Sequence, residues 1–174
     1  MGSMFDGSGL SNINKCAIHE TWSMNSNWPY NWWVVFGCAP ITQENIQEVV
    51  DLWVSNPTQA ETIYGHISEW DVLLVTNMAL LFENANNFNS DISDWDVSNV
   101  TNMQQMFFNA ENFNQNLSDW DVSGVTSMGS MFDGSGLSWE NKCAIHTNWS
   151  TNPNWPYDWS ELCFTQITQE NIQE

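Results

Sequence analysis

Between residues 67 and 137 the apolar positions follow one pattern written three times. It reads HISEWDVLLVTNMALLFENANNFN, then SDISDWDVSNVTNMQQMFFNAENFN, then QNLSDWDVSGVTSMGSMFDGSGLS. Trp70, Trp95 and Trp120 stand 25 residues apart, followed at once by Asp71, Asp96 and Asp121 and then by Val72, Val97 and Val122. The same step relates Val75, Val100 and Val125; Thr76, Thr101 and Thr126; Met78, Met103 and Met128; and Phe82, Phe107 and Phe132. A fixed period of roughly 20 to 50 residues marks stacked repeats, each too small to bury its apolar face alone. Within one repeat the period changes. Ile92, Trp95 and Val97 form a short β-favouring run bounded by Ser, Asp and Asn. From Val100 onward the apolar residues Val100, Met103, Met106, Phe107 and Ala110 fall on a helical stripe. The expected unit is a short strand, a turn at Val97-Ser98-Asn99, a short helix begun by an N-capping Thr101, and a return loop through Asn112-Phe113-Asn114. Stacked, such units make a parallel sheet and columns of Trp, Met and Phe.

A longer repeat encloses the short one. Met1–Leu10 is identical to Met128–Leu137, NKCAIH recurs at Asn14 and Asn141, NWPY at Asn27 and Asn154, and ITQENIQE at Ile41 and Ile167. A unit of about 126 residues therefore contains the 25-residue repeats, and its phase predicts that the chain is a section of a longer tandem array. On this division residues 1–40 are the C-terminal part of one unit, a last half-repeat plus its closing cap. Residues 41–65 are an opening helical cap, 66–138 the three repeats, 139–166 a closing cap and 167–174 the start of the next unit. In the opening cap, Thr42 is a candidate N-cap, Ile46, Val49, Val50 and Trp53 make an apolar stripe, and Pro57 excludes helix at Asn56. The four cysteines allow three pairings, and the duplication favours pairing within each copy, Cys16 with Cys38 and Cys143 with Cys163, over the alternative of reduced thiols. Disulfides imply an oxidising, extracellular setting.

The phrase F-N-x-D-I-S-x-W-D-V-S-x-V-T-x-M-x-x-M-F-x-x-A, met at Phe88–Ala110 and again at Phe113–Phe132, resembles that of the BspA-like leucine-rich-repeat surface proteins of bacteria. The flanks resemble that family as well. The third repeat departs from the pattern, with Gly134-Ser135-Gly136-Leu137 closing the array. The fold expected from repeat and resemblance together is an α/β repeat: a leucine-rich-repeat-like solenoid of short parallel strands and short helices, capped by a helix and a disulfide-bearing segment. The resemblance implies display at a cell surface and adhesion to a host protein or glycan.

Charge narrows the partners. Two basic residues stand against 21 acidic ones, a net charge of −19. Such a surface repels nucleic acid and anionic membranes. With 12 Trp and 9 Phe the chain is too aromatic for disorder, and no run reaches the length of a membrane span. The sharpest polar feature is the Asp71, Asp96, Asp121 column. Stacked carboxylates repel, so they either hold calcium or accept N–H bonds from the turns that follow them; the absence of any known calcium-loop motif favours the turns. No other cofactor is implied. Asn99-Val-Thr, Asn116-Leu-Ser and Asn148-Trp-Ser fit the N-glycosylation sequon. His19, His66 and His146 have no nucleophile at a recognisable spacing and read as structural, so catalysis has no support. The cap tryptophans, Trp22, Trp28, Trp32 and Trp33 in one copy and Trp149, Trp155 and Trp159 in the other, suit unit-to-unit docking. The expected function is an extracellular structural fibre built of self-associating units, the alternative a surface adhesin for a host protein or glycan.

Overall fold

In the computed structural model of the chain, the described residues are 40–164. They begin with two helices. Helix α1 (Ile46–Ser55) buries Ile46, Val49, Val50 and Trp53, the apolar stripe of its sequence. Thr42 is not its cap: Asn45 holds that position, and its side-chain oxygen accepts the Thr42 N–H at 2.8 Å. Asn56 ends α1 in a non-helical conformation (φ −152°), and Pro57 then opens α2 (Pro57–Tyr64), with the Asn56 side chain accepting the Gln59 N–H at 3.3 Å. A proline whose missing N–H costs nothing at a first helical position thus both stops one helix and starts another.

The three repeats stack, but not as the expected solenoid of parallel strands and short helices. Among the described residues there is no strand and no sheet, only two isolated parallel bridges, Asn77 to Asn102 and Asn102 to Ser127. Apart from a single 3-10 turn at Ile67–Glu69, helix is confined to the flanking segments. The reason lies in how the backbone N–H groups are divided. Alternate ones reach the next repeat: Met78, Leu80, Phe82 and Asn84 donate to Asn102, Gln104, Met106 and Phe108, and Met103, Gln105, Phe107 and Asn109 to Ser127, Gly129, Met131 and Asp133, all at 2.8–3.0 Å. Those between them close local turns, Leu81 to Met78, Glu83 to Leu80 and Ala85 to Phe82. A helix would keep every N–H within the segment and a strand would close none locally.

Left-handed residues enforce this division. Leu80, Gln105 and Ser130 have φ of 65°, 54° and 54°, and four residues later Asn84, Asn109 and Gly134 have 56°, 55° and 73°. A positive φ every fourth residue interrupts both regular conformations. At Gly134 a side chain would also collide with the Asn109 side chain. The apolar spacing that reads as a helix is met by these turns, since Met103, Met106, Phe107 and Ala110 are all buried. The threonines are not N-caps either: the Thr101 N–H and hydroxyl both donate to the Thr76 carbonyl (2.8 and 3.1 Å), and the Thr126 pair donates likewise to Thr101.

The core is a set of aromatic columns. Trp70, Trp95 and Trp120 are at most 5% exposed and stack at 6.1 and 6.4 Å. Their indoles also cross-link repeats, Trp95 donating to the Ile67 carbonyl (2.7 Å) and Trp120 to that of Ile92 (3.1 Å). Phe82, Phe107 and Phe132 stack with planes within 1°, at 5.3 and 5.6 Å, beside Phe88 and Phe113. Beyond the third repeat, α3 (Trp139–Trp149) starts at Ser138, whose hydroxyl accepts the Asn141 N–H, and buries Ile145 and Trp149. A short α4 (Ser160–Phe164) follows, tied to α3 by the disulfide Cys143–Cys163. Cys16 and Cys38 lie outside the described residues.

Candidate functional site

Each end of the stack leaves backbone groups without the neighbour that a further repeat would supply. At the opening end, side-chain amides take that place. Gln43 Oε1 accepts the N–H groups of Thr76 (3.0 Å) and Asn77 (2.8 Å), its Nε2 donates to the Asn77 carbonyl (3.0 Å), and Gln47 Nε2 reaches the Leu81 carbonyl (3.3 Å). At the closing end the Phe132 N–H, whose counterparts at Phe82 and Phe107 donate to the next repeat, donates instead to the Tyr157 hydroxyl oxygen at 2.8 Å. That hydroxyl donates in turn to Asp133 (2.9 Å), and burial together with the Asp133 carboxylate pushes the Tyr157 phenol well above its usual range. The buried Asn152 side chain donates to the carbonyls of Val122 (2.7 Å) and Val125 (2.9 Å) and accepts the Asn154 N–H. None of Gln43, Asn152 and Tyr157 stands out in the sequence, because each acts across about 24 to 34 residues on a partner that only the fold supplies.

The aspartate column lies exposed along one face. Asp71, Asp96 and Asp121 each open a turn in which Oδ1 accepts the N–H two residues on, from Leu73, Ser98 and Ser123, at 3.0 Å. The Ser98 and Ser123 hydroxyls, and behind them the backbone N–H groups, hold Asp96 and Asp121 below the ordinary carboxylate value of 3.8. A second column repeats the device: Asp91 accepts the Ser93 N–H and Asn116 that of Ser118. Among the described residues no group of three or more His, Cys, Asp and Glu converges as metal ligands would. The three sequon asparagines are exposed. The Asn99 and Asn148 amides donate to the carbonyls of Leu73 (3.0 Å) and Ser118 (3.1 Å), while the Asn116 oxygen closes its own turn. His146 accepts the Trp155 indole N–H at 3.1 Å, a side-chain tie within the closing cap, and the His66 ring accepts the Ser68 N–H at 3.3 Å, closing a local turn.

Where the third repeat meets α3, a shallow pocket of about 230 Å³ is lined by Asp121, Ser123, Asn148, Thr151, Asn152 and Pro153, and borders the buried Trp120 and Trp149. Trp149 continues the tryptophan column, stacked on Trp120 at 6.2 Å. Trp155, Tyr157 and Trp159 pack around Phe132 and are half-buried, with the Lys142 ammonium 5.8 Å from the Trp159 ring. Among the described residues no helix is long and apolar enough to cross a membrane.

Repeat columns closed at both ends by unrelated caps define a capped repeat-stack protein. The family model described as "Mycoplasma protein of unknown function, DUF285" matches residues 39–153, from the start of the opening cap to the end of α3 and the turn behind it. The chain belongs to that family. No curated protein and no solved structure matches it.

Proposed function

We propose that the chain is a structural repeat protein of the cell exterior, in which capped units follow one another in tandem to form a surface fibre or stalk. The observation that carries this reading is the closure of both ends of the stack by the chain's own side chains, Gln43 on one and Tyr157 with Asn152 on the other. A stack closed in this way does not grow by adding repeats from other chains, so length comes from stringing finished units together, as the duplicated cap sequences arrange. The Cys143–Cys163 disulfide and the resemblance to bacterial surface proteins support an extracellular setting. No catalytic role is assigned, because the acidic columns serve their own turns. Electron microscopy of the native material tests the reading. A rod or chain with an axial spacing of one or two units supports it, whereas dispersed single particles sink it.

The pocket beside Asp121 favours one second reading, a surface adhesin for a glycan. Its carboxylate, amide and hydroxyl groups can hydrogen-bond the hydroxyls of a sugar. Binding of the chain to immobilised oligosaccharides, lost in Asp121→Ala, would favour adhesion over a purely structural role.

A further inference from the structure

In the closing cap a histidine accepts a hydrogen bond that it can hold only while neutral. The Trp155 indole N–H donates to His146 Nδ1 at 3.1 Å. An indole nitrogen donates and never accepts, so Nδ1 carries no proton here, and a protonated ring would meet the indole donor to donor. Trp155 is the hub of the segment that returns from α3. It stands edge-on to Trp149 at 5.5 Å, to Tyr157 at 5.2 Å and to Trp159 at 5.3 Å. Through Tyr157 the hub reaches the stack, since the Tyr157 hydroxyl accepts the Phe132 N–H at 2.8 Å.

A second partner stands ready for the charged ring. The titratable groups on the elements packed here are Glu140 and Lys142 on α3, Tyr157 and Asp158 on the returning segment, Glu161 on α4 and Asp133 on the third repeat. Lys142 lies over the Trp159 ring, and Asp133 takes the Tyr157 hydroxyl. Asp158 is the acid that the His146 charge reaches: the Ser160 hydroxyl first, then the Ser160 N–H, and also His146 hold it below the ordinary 3.8. Neutral, His146 is bound to Trp155; charged, it is drawn to Asp158. The Cys143–Cys163 bond keeps the segment attached when its packing is released. The other copy of the cap sequence spaces His19, Trp28 and Tyr30 identically but has Asn31 where this one has Asp158.

We propose that His146, Trp155 and Asp158 form a pH-sensitive latch: protonation of His146 breaks the Trp155 bond, turns the ring to Asp158 and withdraws Tyr157 from the Phe132 N–H, opening the closing end of the stack. Histidine ordinarily changes charge between about pH 5 and 8, where Asp96 and Asp121, held below 3.8, stay ionised and the turn columns do not respond. NMR of the whole 174-residue chain between about pH 8 and 5 tests the latch. It follows the His146 ring, the Trp155 indole N–H signal and the hydrogen-exchange protection of the Phe132 amide. Protection of Phe132 should fall at least tenfold as His146 becomes charged, with the Trp155 signal moving at the same midpoint. Met103 should keep its protection and show the stack intact. Asp158→Asn, the residue of the other copy, should move both steps to lower pH, because the charged ring loses its partner. His146→Gln should show no step. Phe132 protection that stays flat through the His146 titration would overturn the latch, as would a step that survives in His146→Gln. Should His146→Gln fail to fold, Asp158→Asn decides: an unchanged midpoint there would overturn the exchange of partners.

Discussion

The two ends of the stack solve one problem with unrelated means. At the opening end α1 lays four buried residues, Ile46, Val49, Val50 and Trp53, against the first repeat, with Trp53 edge-on to Trp70 at 5.6 Å. At the closing end α3 buries only Ile145 and Trp149, the latter stacked on Trp120. An amphipathic helix with a full apolar stripe holds itself in place by burial alone. A helix with two anchors needs help, and the Cys143–Cys163 bond, the Tyr157 hydroxyl and the Trp155–Trp159 cluster supply it. Covalent and polar devices therefore gather where apolar burial is thin.

The comparison presumes that both caps rest on one continuous core, so its centre should be the most sensitive place. Phe107 is fully buried between Phe82 and Phe132, and Phe107→Ala should cost about 3–5 kcal/mol in urea unfolding. A loss no larger than that from a cap substitution would mean that the ends, not the columns, hold the stack. Next in size is the staple. Cys143→Ser with Cys163→Ser, or reduction by a thiol, should cost about 3 kcal/mol for a separation of 20 residues. Limited proteolysis should then cut first near α4 and leave α1 intact; equal cleavage at both ends would remove the contrast between them.

Polar closure gives a finer test. Tyr157→Phe keeps the ring but removes the hydroxyl oxygen that accepts the Phe132 N–H, a loss of about 1–3 kcal/mol. Gln43→Ala acts at an exposed edge where water can replace the amide, so about 0.5–1.5 kcal/mol is expected. Thermal unfolding of the two variants should rank them in that order, and the reverse ranking would show that the opening end relies on its amide more than on α1.

How much of this could be read from the chain depends on whether a feature is local or tertiary. The columns were legible because Trp70, Trp95 and Trp120 repeat at a constant step, and the turn bonds of Asp96 and Asp121 because an aspartate two residues before a serine carries its own acceptor and donor. The conformation between the columns was not. Buried residues at Met103, Met106, Phe107 and Ala110 satisfy a helix and a run of four-residue turns equally well, and only the left-handed Gln105 and Asn109 separate the two. Nothing in their identity announces that conformation, since Leu80, Gln105 and Ser130 share one slot without sharing chemistry. Gln43, Asn152 and Tyr157 were invisible for another reason: what makes them closures is the missing neighbour beyond the last repeat.

The smallest expected effect is acid sensitivity of the turn columns. The folded state holds Asp96 and Asp121 below their ordinary value of 3.8, chiefly through the Ser98 and Ser123 hydroxyls, and Asp158 at the start of α4 is held down in the same way by Ser160. A carboxyl with a lowered folded value favours folding fully above the ordinary value, and that contribution is lost as pH falls through the folded one. Stability should therefore decline below about pH 4. Protonation also relieves the repulsion within a chain of net charge −19, which acts in the opposite sense, so the decline should steepen in high salt, where that repulsion is already screened. Ser98→Ala with Ser123→Ala removes the hydroxyl donors and should flatten the decline without moving the neutral-pH plateau by much. Ser160→Ala should flatten it only in probes of α4. Superimposable pH curves for all three proteins would mean that the serine hydroxyls do not hold these carboxylates, and the acid response would then belong to the net charge alone.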